Sequence, residues 1–130
     1  MIPLCIKNLK RGRNISLHNN GTPIRNWLHA EDTAEAIITL IEKGQTNQIY
    51  NIAGDFEQQN KETVRKIIEA FYGTDKDWEK YIDYSYSRVG QDLRYALNDD
   101  KIKSLGWKPT KKFDTEIKTI TNWYKDNFIW

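Results

Sequence analysis

The sequence is short of nearly every feature that announces a function by itself. It has one cysteine, Cys5. That excludes an internal disulfide and a cysteine-based metal site, and it suits a reducing, cytoplasmic setting. No apolar run approaches the roughly 18 residues of a membrane span. At the N-terminus the charges follow a very short apolar run, the reverse of a signal peptide's order. Neither sign of charge dominates: 20 basic residues face 18 acidic ones, for a net charge of +2. That balance calls for neither nucleic acid nor a membrane as partner. The chain lacks a G-x-G-x-x-G, a Walker loop, H-E-x-x-H, C-x-x-C and G-x-S-x-G, so no dinucleotide, nucleoside-triphosphate, zinc-protease or serine-hydrolase site is indicated. Y-x-x-x-K is missing too, because Asp99 stands four residues after Tyr95 and Gly54 four after Tyr50. Internal repeats and low-complexity tracts are also missing.

What is present is the patterning of an ordinary globular chain. With 130 residues, 38 % hydrophobic and 29 % charged, it is expected to form a single domain over 1–130 with a modest core. Pro3 and Gly12 bracket a helix over 3–11 with Ile2, Cys5, Ile6 and Leu9 on one side. A strand over 14–18 leads to Asn19-Asn20-Gly21, a turn signal because Asn and Gly tolerate positive φ. A short strand with Ile24, Trp27 and Leu28 follows. Glu31-Asp32-Thr33 then opens a helix whose expected inward face is Ala34, Ile37, Ile38 and Ile41, at i, i+3, i+4, i+7. The run 48–53, rich in β formers, predicts a strand. Asn60 is the expected N-cap of a helix to Tyr72, with Val64, Ile67, Ile68 and Phe71 inward. An edge strand is expected over 82–86, then a loop with Arg88 and Arg94, a short helix before Gly106, and a last helix over 114–127. Phe113, Ile117, Ile120, Trp123 and Tyr124 form the expected core side of that helix. Alternating helices and strands place the fold class as α/β, in the mixed α+β form.

The chemistry-bearing residues are few. Arg25 lies between a tryptophan strand and a helix start, placed to grip an anion or to make a surface ion pair. Lys7, Lys10, Arg11 and Arg13 form a basic cluster that reads as a solvated helix end, favourable to the dipole, or as an anion site. His18 and His29 lack a third ligand in view, which points to structural roles and no metal site. These are pieces for binding an anion without a catalytic set.

The pieces come in an order that carries a resemblance. I-P-L at 2–4, then S-L-H-N-N-G-T-P-I-R-N-W-L-H-A-E-D at 16–32, I-Y-N-I-A-G at 49–54, S-R-V-G-Q-D-L-R-Y-A-L at 87–97, L-G-W-K-P at 105–109 and W-Y at 123–124 run in sequence. Together they resemble the C-terminal part of an extended short-chain dehydrogenase, most like the dTDP-glucose 4,6-dehydratases. That family's pattern is I-P-L, Y-G-D-G-x-x-I-R-D-W-L, Y-N-I-G-G, R-P-G-H-D-R-R-Y-A-I-D, L-G-W-x-P and W-Y. Related UDP-glucuronate decarboxylases have Arg-Ser-Phe, and UDP-galactose 4-epimerases Arg-Asp-Tyr, where this chain has Arg25-Asn26-Trp27. This chain has His18 for the family tyrosine and Gln91 for the family histidine. Ser87 and Val89 flank Arg88 where Asp and Pro are usual.

The resemblance implies a small domain that binds a nucleotide-diphosphate sugar such as dTDP-glucose. Arg25 would bind the nucleotide's phosphate, Arg88 the pyrophosphate, and Asn60 would hydrogen-bond the nucleotide. Ile2, Pro3 and Leu4, with Ser16, Leu17 and His18, would line the base pocket, and Ser87 and Gln91 would stand beside Arg88. A diphosphate favours guanidinium forks, with their paired charge-assisted donors. The N-terminal Rossmann domain, with NAD, a Tyr/Lys pair and an acid–base carboxylate pair, is expected outside this chain. No catalytic residue is therefore assigned. The whole family enzyme oxidises C4 through NAD, eliminates water across C5–C6 and returns the hydride to C6. Alternatives are another sugar-nucleotide epimerase or decarboxylase domain, or a stand-alone nucleotide-binding or assembly module. Such a module would work beside a separate Rossmann chain or associate with itself through an apolar patch.

Overall fold

The computed structural model describes residues 1–75 and 77–127. Three helices, α1 (Ile2–Lys10), α3 (Asn60–Tyr72) and α5 (Phe113–Asn127), pack on one another. Their shared core holds Cys5, Ile6, Leu9, Val64, Ile67, Ile68 and Ile117, joined by Ile15, Leu17 and Ile82. Ile6, Val64, Ile67 and Ile68 have no exposed surface. Each contributes about 2 kcal/mol by leaving water. Burial also pushes the Cys5 thiol up to about 11. Beside this core runs a two-residue parallel ladder between β1 (Ile15–Ser16) and β4 (Ile82–Asp83).

The second sheet is antiparallel. β2 (Ile24–Trp27) pairs with β3 (Phe56–Gln59), with Arg25 opposite Gln58 and Trp27 opposite Phe56. On the other edge of β2, the Ile24 N–H donates to the Leu93 carbonyl at 2.7 Å and Tyr95 returns an N–H to the Ile24 carbonyl at 3.5 Å. The segment around Leu93–Tyr95 therefore lies parallel to the start of β2. Asn26 extends the arrangement with its side chain, which accepts from the Gly54 N–H at 2.7 Å and donates to the Gly54 carbonyl. A Cβ on Gly54 would stand 1.9 Å from the Trp27 carbonyl oxygen, so glycine is required there.

Between β2 and β3 in the chain, α2 (Ala30–Lys43) begins on His29, whose Nδ1 accepts the Glu31 N–H. His29 is thus a helix cap, a structural role. A short helix α4 (Asp100–Lys103) and Trp107 pack with Ala36 and Leu40 into a smaller cluster. That packing is fixed by Asp32. Its carboxylate accepts the Thr110 N–H (2.9 Å), the Thr110 hydroxyl (3.0 Å) and the Lys111 N–H (3.1 Å). The Trp107 indole N–H donates to its carbonyl.

Five sequence expectations change. The run 48–53 makes no ladder within the described residues, and Ile49 is 86 % exposed. The strand lies instead at the polar segment Phe56–Gln59, because pairing with β2 overrides intrinsic preference. The apolar side of α2 is outside: Ile37, Ile38 and Ile41 are exposed while Asp32 and Ala36 are buried. On α5, Trp123 is exposed and Thr121 takes the inward position. Asn60 is the first residue of α3 rather than its cap. The 14–18 and 82–86 strands are shorter than expected, with only two ladder residues each.

Asp32 is 2 % exposed. Burial raises its pKa, but the Thr110 and Lys111 hydrogen bonds outweigh that and hold it below the usual aspartate value. Asp32→Ala strands those donors and is expected to cost about 3 kcal/mol in urea unfolding. A loss under 0.5 kcal/mol, on the same scale, would contradict the role. A lowered folded pKa gives stability present above the unfolded value near about 4 and lost as pH falls through the folded value. Asp32→Asn should therefore show a shallower acid limb than the unaltered chain.

Candidate nucleotide-binding site

β2 fixes Arg25. Its Nη1 donates to the Ile24 carbonyl (2.7 Å) and to the Asp92 carbonyl (3.3 Å), and its guanidinium carbon stands 4.3 Å from the centre of the Tyr95 ring. The stacked ring and the two carbonyls hold the planar fork in one orientation. The Tyr95 hydroxyl donates to the Asp92 carboxylate. That hydrogen bond, reinforced by the carboxylate charge, raises the phenol above its ordinary pKa, against the opposing pull of Arg25 and Arg88. Arg25 stands over the Tyr95 ring, and Arg88 belongs to the loop 86–95 that bears that ring. Among the described residues, neither is engaged in an ion pair. The neighbouring Arg94 is different: it makes a two-pronged contact with Glu57 at 2.8 and 3.2 Å, tying the loop to β3.

Arg88 itself lies on an exposed loop. Its backbone, with the Ser87 hydroxyl, is bonded to the Asn19 side chain. His18, just before, stacks on Tyr86 with ring centres 5.7 Å apart and a 28° tilt. This pairing rests on the turn at 19–21, where Asn19, Asn20 and Gly21 have φ of 51°, 54° and 68°. Gly21 also packs tightly: a Cβ there would come within 2.5 Å of the Leu17 side chain.

Two further residues have unanswered polar atoms. Asn60 is 8 % exposed, and its Oδ1 has no hydrogen-bond partner. Its N–H donates to the Pro23 carbonyl just ahead of β2. Gln91 is half-buried with its Oε1 equally unpartnered. A buried carbonyl oxygen without a donor is costly, and a ligand donor relieves that cost.

The structure therefore gathers His18, Arg25, Ser87, Arg88 and Gln91 around one loop cluster, with Asn60 adjoining β2. It does not bring all the expected base-pocket residues there. Leu17 is part of the hydrophobic core. Ser16 is exposed on β1, and Leu4 is 61 % exposed on the first turn of α1 beside half-buried Pro3. Ile2 lines a separate cavity of about 440 Å³ with Trp27, Phe56, Phe113 and Ile117; none of His18, Arg25 or Arg88 borders it. Sequence reasoning missed Asn19, Tyr86 and Asp92 as parts of the site. The positive-φ turn was the available signal for Asn19, and the regular alternation of 82–86 concealed Tyr86. Among the described residues, no group of three or more His, Cys, Asp or Glu side chains is placed to hold a metal. No helix among them is long and apolar enough to cross a membrane.

A family profile described as GDP-mannose 4,6 dehydratase matches residues 1–120. The chain belongs to that dehydratase family. It is 35 % identical to the dTDP-glucose 4,6-dehydratase of Escherichia coli over 134 aligned positions, covering all of this chain and 37 % of that protein. Its fold overlays the crystal structure of dTDP-glucose 4,6-dehydratase from Bacillus anthracis in complex with NAD. There the TM-score is 0.84 at 35 % identity, over 97 % of this chain and 39 % of that one. The Streptomyces venezuelae dTDP-glucose 4,6-dehydratase, solved with NAD and TYD bound, gives a TM-score of 0.87 at 31 % identity over 97 % and 38 %. The chain thus corresponds to the C-terminal portion of these enzymes and spans 37 % of the length of the curated relatives.

Proposed function

We propose that this chain is the nucleotide-sugar-binding part of an NAD-dependent sugar-nucleotide 4,6-dehydratase. The seating of Arg25 on the Tyr95 ring and the Asp92 carbonyl, within the loop that also bears Arg88, carries the reading. A diphosphate favours cationic forks; β2 supplies Arg25 and the loop 86–95 supplies Arg88, and the His18–Tyr86 rings at that loop give a flat base a stacking partner. Asn60 Oδ1 and Gln91 Oε1 supply acceptors for nucleotide N–H or hydroxyl groups. NAD and the catalytic tyrosine, lysine and carboxylates belong to a Rossmann domain outside this chain, so binding here orients substrate for chemistry performed there. A single buried cysteine suits the cytoplasm as the place of work.

The test is calorimetry with dTDP, UDP, CDP and GDP. The chain is expected to bind at least one of them, and Arg25→Ala and Arg88→Ala each to weaken binding by about 10- to 100-fold, the weight of a charge-assisted hydrogen bond. No binding to any of the four would contradict the site, as would variants indistinguishable from the parent.

The exposed side of α2 supports a second element of the reading. Ile37, Ile38 and Ile41 make an exposed apolar strip, the run 48–53 makes no ladder among the described residues, and a Rossmann domain is the partner that would cover both. On its own, the chain is expected to associate increasingly with concentration in sedimentation, and Ile38→Glu to suppress this. A monomer at every concentration would contradict the covered-face reading.

A further inference from the structure

We propose that Asn19 is the positioning residue for Arg88, holding the backbone of the diphosphate arginine in its binding geometry before ligand arrives. The inference rests on the nucleotide reading above and adds to it a residue outside the expected site.

Arg88 sits on a loop with little else to hold it. Val89 is 99 % exposed and Gly90 turns the chain with φ 72°. Among the described residues, the hydrogen bonds that tie residues 86–90 to the rest of the chain all end on Asn19. The Arg88 N–H donates to Asn19 Oδ1 at 2.7 Å, and Asn19 Nδ2 donates to the Arg88 carbonyl at 3.1 Å. The Ser87 hydroxyl donates to the same Oδ1 at 3.2 Å, and the Asn19 N–H donates to the Tyr86 carbonyl at 3.1 Å. A carboxamide thereby imitates a strand neighbour, meeting both polar groups of one backbone residue. The support is itself anchored, because the Asn19 carbonyl accepts the Thr22 N–H and hydroxyl.

The residue type is constrained twice. The backbone at 19 is left-handed (φ 51°, ψ 44°), a region that asparagine and glycine enter easily. The fork needs one donor and one acceptor. Aspartate offers acceptors only and would face the Arg88 carbonyl with like charge. A loop ordered in advance pays less conformational entropy on binding, so the benefit falls on the diphosphate that Arg88 touches.

Asn19→Gly keeps the left-handed backbone and removes only the clamp. Amide exchange of Arg88 in the free chain, read by NMR, is expected to quicken about tenfold in this variant. Calorimetry is expected to show dTDP affinity about tenfold weaker with thymidine affinity unchanged. The double variant Asn19→Gly/Arg88→Ala should bind dTDP like Arg88→Ala alone, because the clamp acts through that arginine. Unchanged Arg88 exchange overturns the inference whatever the ligand does. So do additive losses in the double variant, or equal losses for thymidine and dTDP, while leaving the nucleotide reading intact. Failure of the unaltered chain to bind dTDP, UDP, CDP or GDP overturns both.

Discussion

Four residues, Ile24 to Trp27, are engaged on both edges. β3 binds one edge in antiparallel register, and Leu93 and Tyr95 bind the other at Ile24. The arrangement of the site follows from this. With the register fixed, Arg25 is opposite Gln58 and its side chain meets Tyr95. A slip of one residue would turn Arg25 to the other face of the sheet and bring Asn26 in its place. The register also sets the start of α3, because the Asn60 N–H closes on the Pro23 carbonyl immediately before the strand. The same few hydrogen bonds thus position one cationic fork, one buried acceptor and the loop that bears the second fork.

Side chains do much of the work that longer strands perform elsewhere. The strands here have two to four residues, too few to define the connecting loops. Asn26 clamps Gly54, Asp32 gathers Thr110 and Lys111, and Asn19 holds Ser87 and Arg88. Each uses a short polar side chain as a partner for backbone N–H or C=O groups, which satisfies buried or loop backbone without extending a ladder. The result is a loop at 86–90 supported from a turn some 70 positions earlier in the chain.

Helices α1 and α3 were legible because local signals and burial agree. Pro3 opens the first, Gly73 with φ 106° closes the second, and the 3.6-residue pattern of Cys5, Ile6, Leu9, Val64, Ile67 and Ile68 faces one core. Motif order marked Arg25 and Arg88 as the candidates for the site. The run 48–53 and the α2 face were misread for one reason. Both carry the signature of buried elements, and what buries an element lies outside its own pattern. β3 was invisible for the converse reason, since Glu57, Gln58 and Gln59 acquire strand geometry only from β2. The Asn19 contact could not be read from spacing, because it links residues 69 positions apart through one amide.

On the proposed reading, the loop cluster of Arg25 and Arg88, and not the apolar cavity of about 440 Å³ near Trp27 and Phe113, receives a nucleoside diphosphate. An NMR titration of the chain with dTDP tests it most directly. Saturable shifts are expected at the amides of Asn19, Arg25, Arg88 and Tyr95, with those of Phe113 and Ile117 unmoved. Shifts confined to the residues around Trp27, Phe113 and Ile117, or none at saturating ligand, would contradict it.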